Sequence, residues 1–286
     1  MHRLFLLRAY GDFVILLQAL LESPQKNKYY LIASKHLQPL YQELTLVINV
    51  SCIQIEFIDF GITNTQLSLF TNKHLLSINT LKELKQIKNF VKQNPNQDGQ
   101  DYIEQDKRIG LFNGITGLNF NSIISTDSVY STYAKFFENK ELQKEEGQVA
   151  ENNKLNSKKV LLFPDTRQAK KNIPRSLIDK LENEIAAKGY TLEIAYFKQV
   201  PDITTNDKNS SNSNKVVYAN FKTLIQLIID AELILGADSL PIHLAYLLKK
   251  PHYIFYPNEY PQLFMTPYAQ INNRFGTFDH YNFSFL

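Results

Sequence analysis

Tryptophan is absent from this 286-residue sequence, cysteine occurs once, methionine twice and glycine only ten times. The lone cysteine, Cys52, excludes an intramolecular disulfide and fits a reducing compartment; within the apolar residues 52–58 it reads as a small core side chain. No Gly-x-Gly-x-x-Gly follows the first strand candidate, which argues against a small-molecule enzyme built on one Rossmann domain. No apolar run reaches the ~20 residues that a bilayer span needs. Arg8 and Asp12 interrupt the apolar amino terminus, and the expectation is a soluble cytoplasmic protein. A charge imbalance is also missing. The net charge is +3 and the pI about 8.6, so nucleic acid is not expected as a partner and an anionic surface attracts the chain only mildly. No Asp-x-Asp pair is present to hold a metal ion, and neither a metal nor an organic cofactor is expected.

What is present is an alternation of short apolar runs and helical patterns. Hydrophobic residues make up 44% and charged residues 21%, enough for one large or two modest domains, and the pattern favours two. Residues 3–7 read as a buried strand ending at Arg8. Residues 9–11 supply a turn, and Asp12 opens an apolar helix over 13–21. A strand at 29–33, a short helix at 37–44 and a strand at 53–60 continue a βαβ rhythm, which implies a parallel sheet with right-handed crossovers. Residues 81–91 place Leu81, Leu84, Ile87 and Val91 on one face with lysines between, the pattern of an amphipathic surface helix. After a polar loop at 94–100, residues 109–112 and 123–124 are further strand candidates. Residues 138–159 are rich in Glu, Gln, Asn and Lys, as a solvated linker is, and divide the chain into domains 1–150 and 151–286.

The second half restarts with a strand at 160–163 and a loop, 164–174, that carries Thr166, Arg167, Lys170 and Lys171. Hydroxyl, backbone and cationic donors at a strand end suit a phosphate; a solvated basic loop is the plainer reading. A helix follows with Leu177, Ile178, Leu181 and Ile185 inward and Gly189 as its stop, then a strand at 191–196, a flexible polar run at 206–214, a helix at 221–229 and a strand at 251–256. Five aromatic residues in the tail from Asn272 read as a cover for a domain surface.

The most informative stretch is 233–245. It reads as a buried strand, a sharp exit at Gly236, and a helix that Asp238 or Ser239 caps, with Pro241 at its first position. A helix amino terminus is a ready anion site, and His243 lies one turn further on. A nucleotide diphosphate suits this set. An ordinary capped corner with His243 in the core is the alternative. At the other end of the chain, Arg8, Gly11 and Asp12 fall at the carboxyl edge of the first strand, where ligands of such folds bind; for Asp12 the plain alternative is an N-cap worth about 1 kcal/mol.

The run Gly236-Ala237-Asp238-Ser239-Leu240-Pro241-Ile242-His243-Leu244-Ala245 resembles the Gly-x-Asp-(Ser/Thr)-Gly-x-x-His-(Leu/Ala)-Ala signature of glycosyltransferase family 9, the ADP-heptose:lipopolysaccharide heptosyltransferases. Lys171 and Pro174 are similar to the lysine and proline of that family's Asn-Pro-Gly-…-Lys-(Arg/His)-Trp-Pro stretch, and Gly11-Asp12 after the first strand resembles its amino-terminal Gly-Asp. The resemblance implies an α/β protein of the GT-B kind, two Rossmann-like domains facing across a cleft, with the acceptor in the first domain and the sugar nucleotide in the second. It implies that Asp12 is the base, with Arg8 and Gly11 on the acceptor side. Thr166, Arg167, Lys171, Asp238, Ser239, Leu240 and His243 hold the donor. The implied reaction is inverting and metal-independent, from ADP-heptose or a similar donor to a lipopolysaccharide-core-like acceptor, with peripheral contact at the inner membrane left open.

Several positions depart from the family pattern. Leu240 stands where the family has glycine, Asp165 where glycine follows the first proline, and Ile173 where tryptophan is usual. No glutamate is assignable to the donor ribose. An inactive relative that serves as a binding or scaffold module is therefore the second reading, and nucleotide binding separates the two.

Overall fold

The computed structural model describes the chain apart from residues 64, 72–76, 105–106, 124–127, 140–157, 198–213, 259–261 and 283–286. Most of the expected linker and of the polar run at 206–214, and the aromatic residues Phe283 and Phe285 of the tail, lie outside the described residues. By its contacts the chain forms two compact units, Met1–Leu142 and Gln143–Leu286.

The first unit runs β1 (His2–Leu6), α1 (Tyr10–Leu21), β2 (Tyr29–Ser34), α2 (Gln38–Thr45), β3 (Gln54–Ile58), α3 (Ile78–Gln93), β4 (Asp101–Ile103), α4 (Ile109–Thr116), β5 (Asn121–Ser122) and α5 (Val129–Phe136). Its sheet is parallel, in the order β3-β2-β1-β4-β5. The central strand β1 buries Leu4, Phe5 and Leu6 completely, the continuous apolar run expected of a parallel strand covered on both faces. β3 lies at the edge and is only half-covered, and Cys52 just before it is likewise half-buried instead of a core residue.

Two sequence readings change here. Residues 109–112 belong to helix α4, because Phe112 and Thr116, four apart, are buried on one side while Leu111 faces solvent; that is the helical period, and Gly117 in the left-handed region (φ +65°) stops it. The strand expected at 123–124 is instead β5 at Asn121–Ser122, with Ile124 outside the described residues. β4, α5 and the last two elements of the chain were not legible in the pattern.

The second unit runs β6 (Lys159–Phe163), α6 (Arg175–Ala187), β7 (Thr191–Phe197), β8 (Asn214–Tyr218), α7 (Phe221–Asp230), β9 (Leu233–Ala237), α8 (Leu240–Leu247), β10 (His252–Tyr256), α9 (Pro267–Ile271) and β11 (Phe275–Thr277). The sheet order β8-β7-β6-β9-β10-β11, all parallel, is the doubly wound Rossmann order. α6 stops where Gly189 takes φ +78°, and α7 is capped by the Asn220 side chain, which accepts the Thr223 N–H at 2.9 Å. In both units the chain reverses direction beside its first strand, between β1 and β4 and between β6 and β9. Ligands of open α/β sheets bind at the carboxyl edge of such switch points.

Candidate functional site

At the switch point of the second unit, the loop after β6 and the turn after β9 converge. The β6 loop is braced by its own groups: Ile173 N–H donates to the Pro164 carbonyl at 2.9 Å, Thr166 N–H to Asn172 Oδ1 at 2.8 Å, and the Thr166 hydroxyl to the Gln168 carbonyl at 2.7 Å. A short 3-10 turn, Ala169–Lys171, then directs Lys171 inward. Ile173, which replaces the family tryptophan, packs into the core of the unit. Arg167 remains exposed and Thr166 half-exposed at the rim.

The Lys171 ammonium meets Asp238 Oδ2 at 2.7 Å, and the two side chains are only 8% and 2% exposed. His243 Nε2 lies 3.5 Å from the other carboxylate oxygen. Burial pushes the Asp238 carboxyl up, but His243 and Lys171 together outweigh it and hold it below the ordinary aspartate value. Phe264 closes the site from above Lys171, its ring centroid 5.7 Å from Nζ and 6.3 Å from the His243 ring. Tyr256 at the end of β10 is fully buried with its hydroxyl unpartnered, and burial followed by the Asp238 charge raises it well above the ordinary phenol value. Phe264 and Tyr256 are not among the site residues expected from the sequence; an aromatic residue carries no periodic signal that separates site from core.

The turn itself differs from expectation in three respects. Gly236 lies within β9, where a Cβ would stand 3.2 Å from Ile242 Cδ1 and from the Phe163 carbonyl, so the glycine serves close packing of β9 against β6 and α8 and not the exit turn. α8 begins at Leu240, which places Pro241 second, a position that also has no N–H bond to lose. Ser239 is the N-cap residue by backbone, but its hydroxyl goes to the Ala237 carbonyl at 3.1 Å, and Asp238 is committed to Lys171; no side chain caps α8. Leu240 is half-exposed at this amino end. Asp165 is half-buried, and its charge adds to the burial that pushes the Tyr218 phenol to about 12. Tyr218 sits on β8, away from β9 and Asp238.

In the first unit the corresponding edge carries Arg8, Gly11 and Asp12. α1 begins at Tyr10 with Ala9 as N-cap, so Tyr10 and Gly11 belong to the helix and Asp12 is a first-turn residue that does not cap it. The Asp12 side chain is 11% exposed and its Oδ1 stands 3.4 Å from Arg8 Nη2. The Arg8 carbonyl accepts from His36 Nε2 at 3.0 Å, and His36 Nδ1 is 2.9 Å from Ser34 Oγ; burial lowers the His36 pKa. Glu104, the residue after β4, reaches back to accept the Leu7 N–H. No sequence signal marked it.

Among the described residues, no group of three or more His, Cys, Asp or Glu side chains is placed to hold a metal ion, and no helix is long and apolar enough to cross a membrane.

The model of glycosyltransferase family 9 (heptosyltransferase) matches residues 128–282, more than half of the chain. No curated protein sequence matches. Solved structures that share the fold include E. coli heptosyltransferase WaaC with ADP-2-deoxy-2-fluoro heptose, at 12% identity over 91% of this chain and 90% of that one, with a TM-score of 0.57. E. coli ADP-heptose lps heptosyltransferase II is 12% identical over 96% and 89%, with a TM-score of 0.57. The glycosyl transferase family 9 protein of Veillonella parvula is 11% identical over 96% and 86%, with a TM-score of 0.59. The α/β class and the GT-B type of two Rossmann-like units agree with these structures.

Proposed function

As a member of glycosyltransferase family 9 this chain is a glycosyltransferase, and we propose that it moves a heptose or similar sugar from a nucleoside-diphosphate donor to a lipopolysaccharide-core-like acceptor. The observation that carries this reading is the buried Lys171–Asp238 contact of 2.7 Å at the switch point of the second unit, on the segment that resembles the family signature. A diphosphate carries more negative charge than one carboxylate. On reaching this edge it competes with Asp238 for Lys171, while His243 stays with Asp238. Thr166 and Arg167 at the rim and the uncapped amino end of α8 with Ser239 and Leu240 complete the donor site. The WaaC structures hold ADP and an ADP-sugar analogue, which supports an ADP-sugar as the donor class.

In this reading residues 1–150 bind the acceptor, with Arg8 and Gly11 beside the reacting hydroxyl, and residues 151–286 bind the donor. The acceptor oxygen attacks the anomeric carbon as the bond from that carbon to the diphosphate breaks, so the configuration inverts. Asp12 receives the hydroxyl proton, and Lys171, Arg167 and the α8 dipole take up the charge of the leaving diphosphate without a metal ion. A lipid-borne acceptor brings a cytoplasmic enzyme to the inner face of the membrane. Calorimetric titration with ADP and a panel of other nucleoside diphosphates, repeated with Lys171→Ala, tests the donor site. Base-selective binding that weakens in the variant is expected. Failure of every nucleotide to bind overturns the donor assignment and favours a binding or scaffold role.

A further inference from the structure

Glu104 has no part in the donor and acceptor assignments, yet it occupies the switch point of the first unit. It follows β4 directly, its backbone N–H continues the ladder to the Phe5 carbonyl at 3.2 Å, and its side chain is fully buried. The carboxyl accepts the Leu7 N–H and a hydrogen bond from the Arg8 backbone, which fastens β4 to the end of β1 at the residue where the chain turns toward α1. Its Oε2 is buried without a hydrogen-bond partner. Asp12 Oδ1, also buried and also without a hydrogen-bond partner, lies within 3.4 Å of the Arg8 guanidinium. Among the described residues, one guanidinium and two carboxyl groups thus share this edge.

We propose that Glu104 is a positioning residue for Asp12, fixing the turn between β1 and α1 so that the Arg8 guanidinium is held against Asp12. The inference rests on the reading of Asp12 as the base. Its physical ground is charge balance: two ionised carboxylates against one guanidinium would leave an uncompensated buried charge, whereas a proton on Glu104 leaves a neutral Arg8–Asp12 pair. Burial drives the Glu104 carboxyl well above its ordinary value, Arg8 opposes this, Asp12 adds to it, and the Leu7 and Arg8 backbone N–H groups oppose it. Among the described residues, the other titratable groups on this side include His36, which burial lowers and which bonds the Arg8 carbonyl, Tyr10, which packs on the His36 ring and which burial raises, and Arg108, which is engaged with the carbonyls of Leu69 and Thr71. Glu104 does not touch substrate; it acts through the turn and through Arg8.

The test reads the carboxyl directly. Protein isotopically labelled at its glutamate carboxyl carbons is titrated by NMR, and the resonance missing from Glu104→Gln identifies Glu104. The proposal expects this group to keep its proton at neutral pH and to release it at lower pH in Asp12→Asn, because one of the charges that raises it is gone. A Glu104 carboxyl ionised at neutral pH, or one indifferent to Asp12→Asn, overturns the proposal. This arm needs no turnover, so its outcome is separate from that of the transferase reading. In a transfer assay, Glu104→Ala lowers kcat on the order of a hundredfold with donor KM unchanged. Glu104→Gln, which is uncharged and still accepts the Leu7 N–H, recovers most of it. Equal loss in both variants, or loss confined to donor KM, overturns the proposal; if Glu104→Ala fails to fold, the titration still decides.

Discussion

Lys171 Nζ lies 2.7 Å from Asp238 Oδ2 although the residues are 67 positions apart and leave the sheet from different strands. Both charges are out of water, and each lowers the cost of burying the other, with His243 sharing the carboxylate. Lys171→Ala strands the carboxylate with His243 and should cost about 3 kcal/mol of stability by denaturant titration, with much of that cost restored in Lys171→Ala/Asp238→Ala. The pH dependence follows from the sign of the Asp238 shift. Its folded pKa is depressed, so its contribution is present above the ordinary aspartate value of about 3.9 and is lost as pH falls through the lower folded value. In Lys171→Ala the folded value moves back up toward the unfolded one, so the part of the acid loss that comes from Asp238 shrinks.

Leu240 puts a side chain at the first position of α8, at the amino end that no side chain caps. Leu240→Gly opens that end to a close approach of phosphate, and nucleoside diphosphate affinity should rise several-fold in calorimetry. The helix itself loses up to about 1 kcal/mol from the glycine. An affinity that stays level or falls means that the leucine packs against the nucleotide and belongs to the donor site as it stands.

The elements that carry the proposed donor site are the ones the sequence displays most openly. Residues 233–245 present an apolar run, a Gly-Ala-Asp-Ser turn and a proline in succession, and β9 and α8 follow in that order. Lys171 and His243 are legible as residues, but their convergence on Asp238 is a property of strand order, since β6 and β9 are neighbours only after a crossover. Glu104 was invisible for the same reason. β4 has three residues, too short to show any alternation, and the N–H that Glu104 binds belongs to Leu7, 97 positions away. Residues 109–112 misled because a four-residue apolar run fits strand and helix alike; Phe112 and Thr116 decide for helix only once their burial is known. For Gly236 the pattern suggests an exit turn, since exits from strands favour glycine, whereas the governing constraint is the 3.2 Å approach of Ile242.

His252 is fully buried on β10, with Nδ1 donating to the Lys250 carbonyl at 2.9 Å and Nε2 accepting from the Thr266 hydroxyl at 2.6 Å. Burial lowers its pKa from 6.5 to about 4. A depressed folded value means that the unfolded chain takes up the proton first. The contribution of His252 is therefore intact above the unfolded value of 6.5 and is lost progressively as pH falls to about 4. The full loss is on the order of 3 kcal/mol. His252→Gln should flatten the fall in stability across that interval relative to the parent, measured by denaturant midpoints at successive pH values. Parallel pH curves for the two proteins would mean that the ring takes up its proton as readily in the folded chain as in the unfolded one.

Asp12 and Lys171 belong to different units of the chain and carry different parts of the proposed reaction, so their variants should fail differently. Asp12→Asn preserves the size of a buried side chain and its place in the first turn of α1, and an amide oxygen remains to face Arg8 at the 3.4 Å position. What it removes is the group proposed to take the acceptor proton. Transfer should fall by roughly a hundredfold to ten-thousandfold, the usual span for loss of a general base. ADP affinity should stay at the parent value, because the proposed phosphate site rests on Lys171, Asp238 and His243 within the other unit. Lys171→Ala should show the opposite order, with affinity lost first. If Asp12→Asn instead loses donor binding and transfer together, Asp12 is part of the architecture of its unit, and the base must be sought among the other polar groups at the β1–β4 edge.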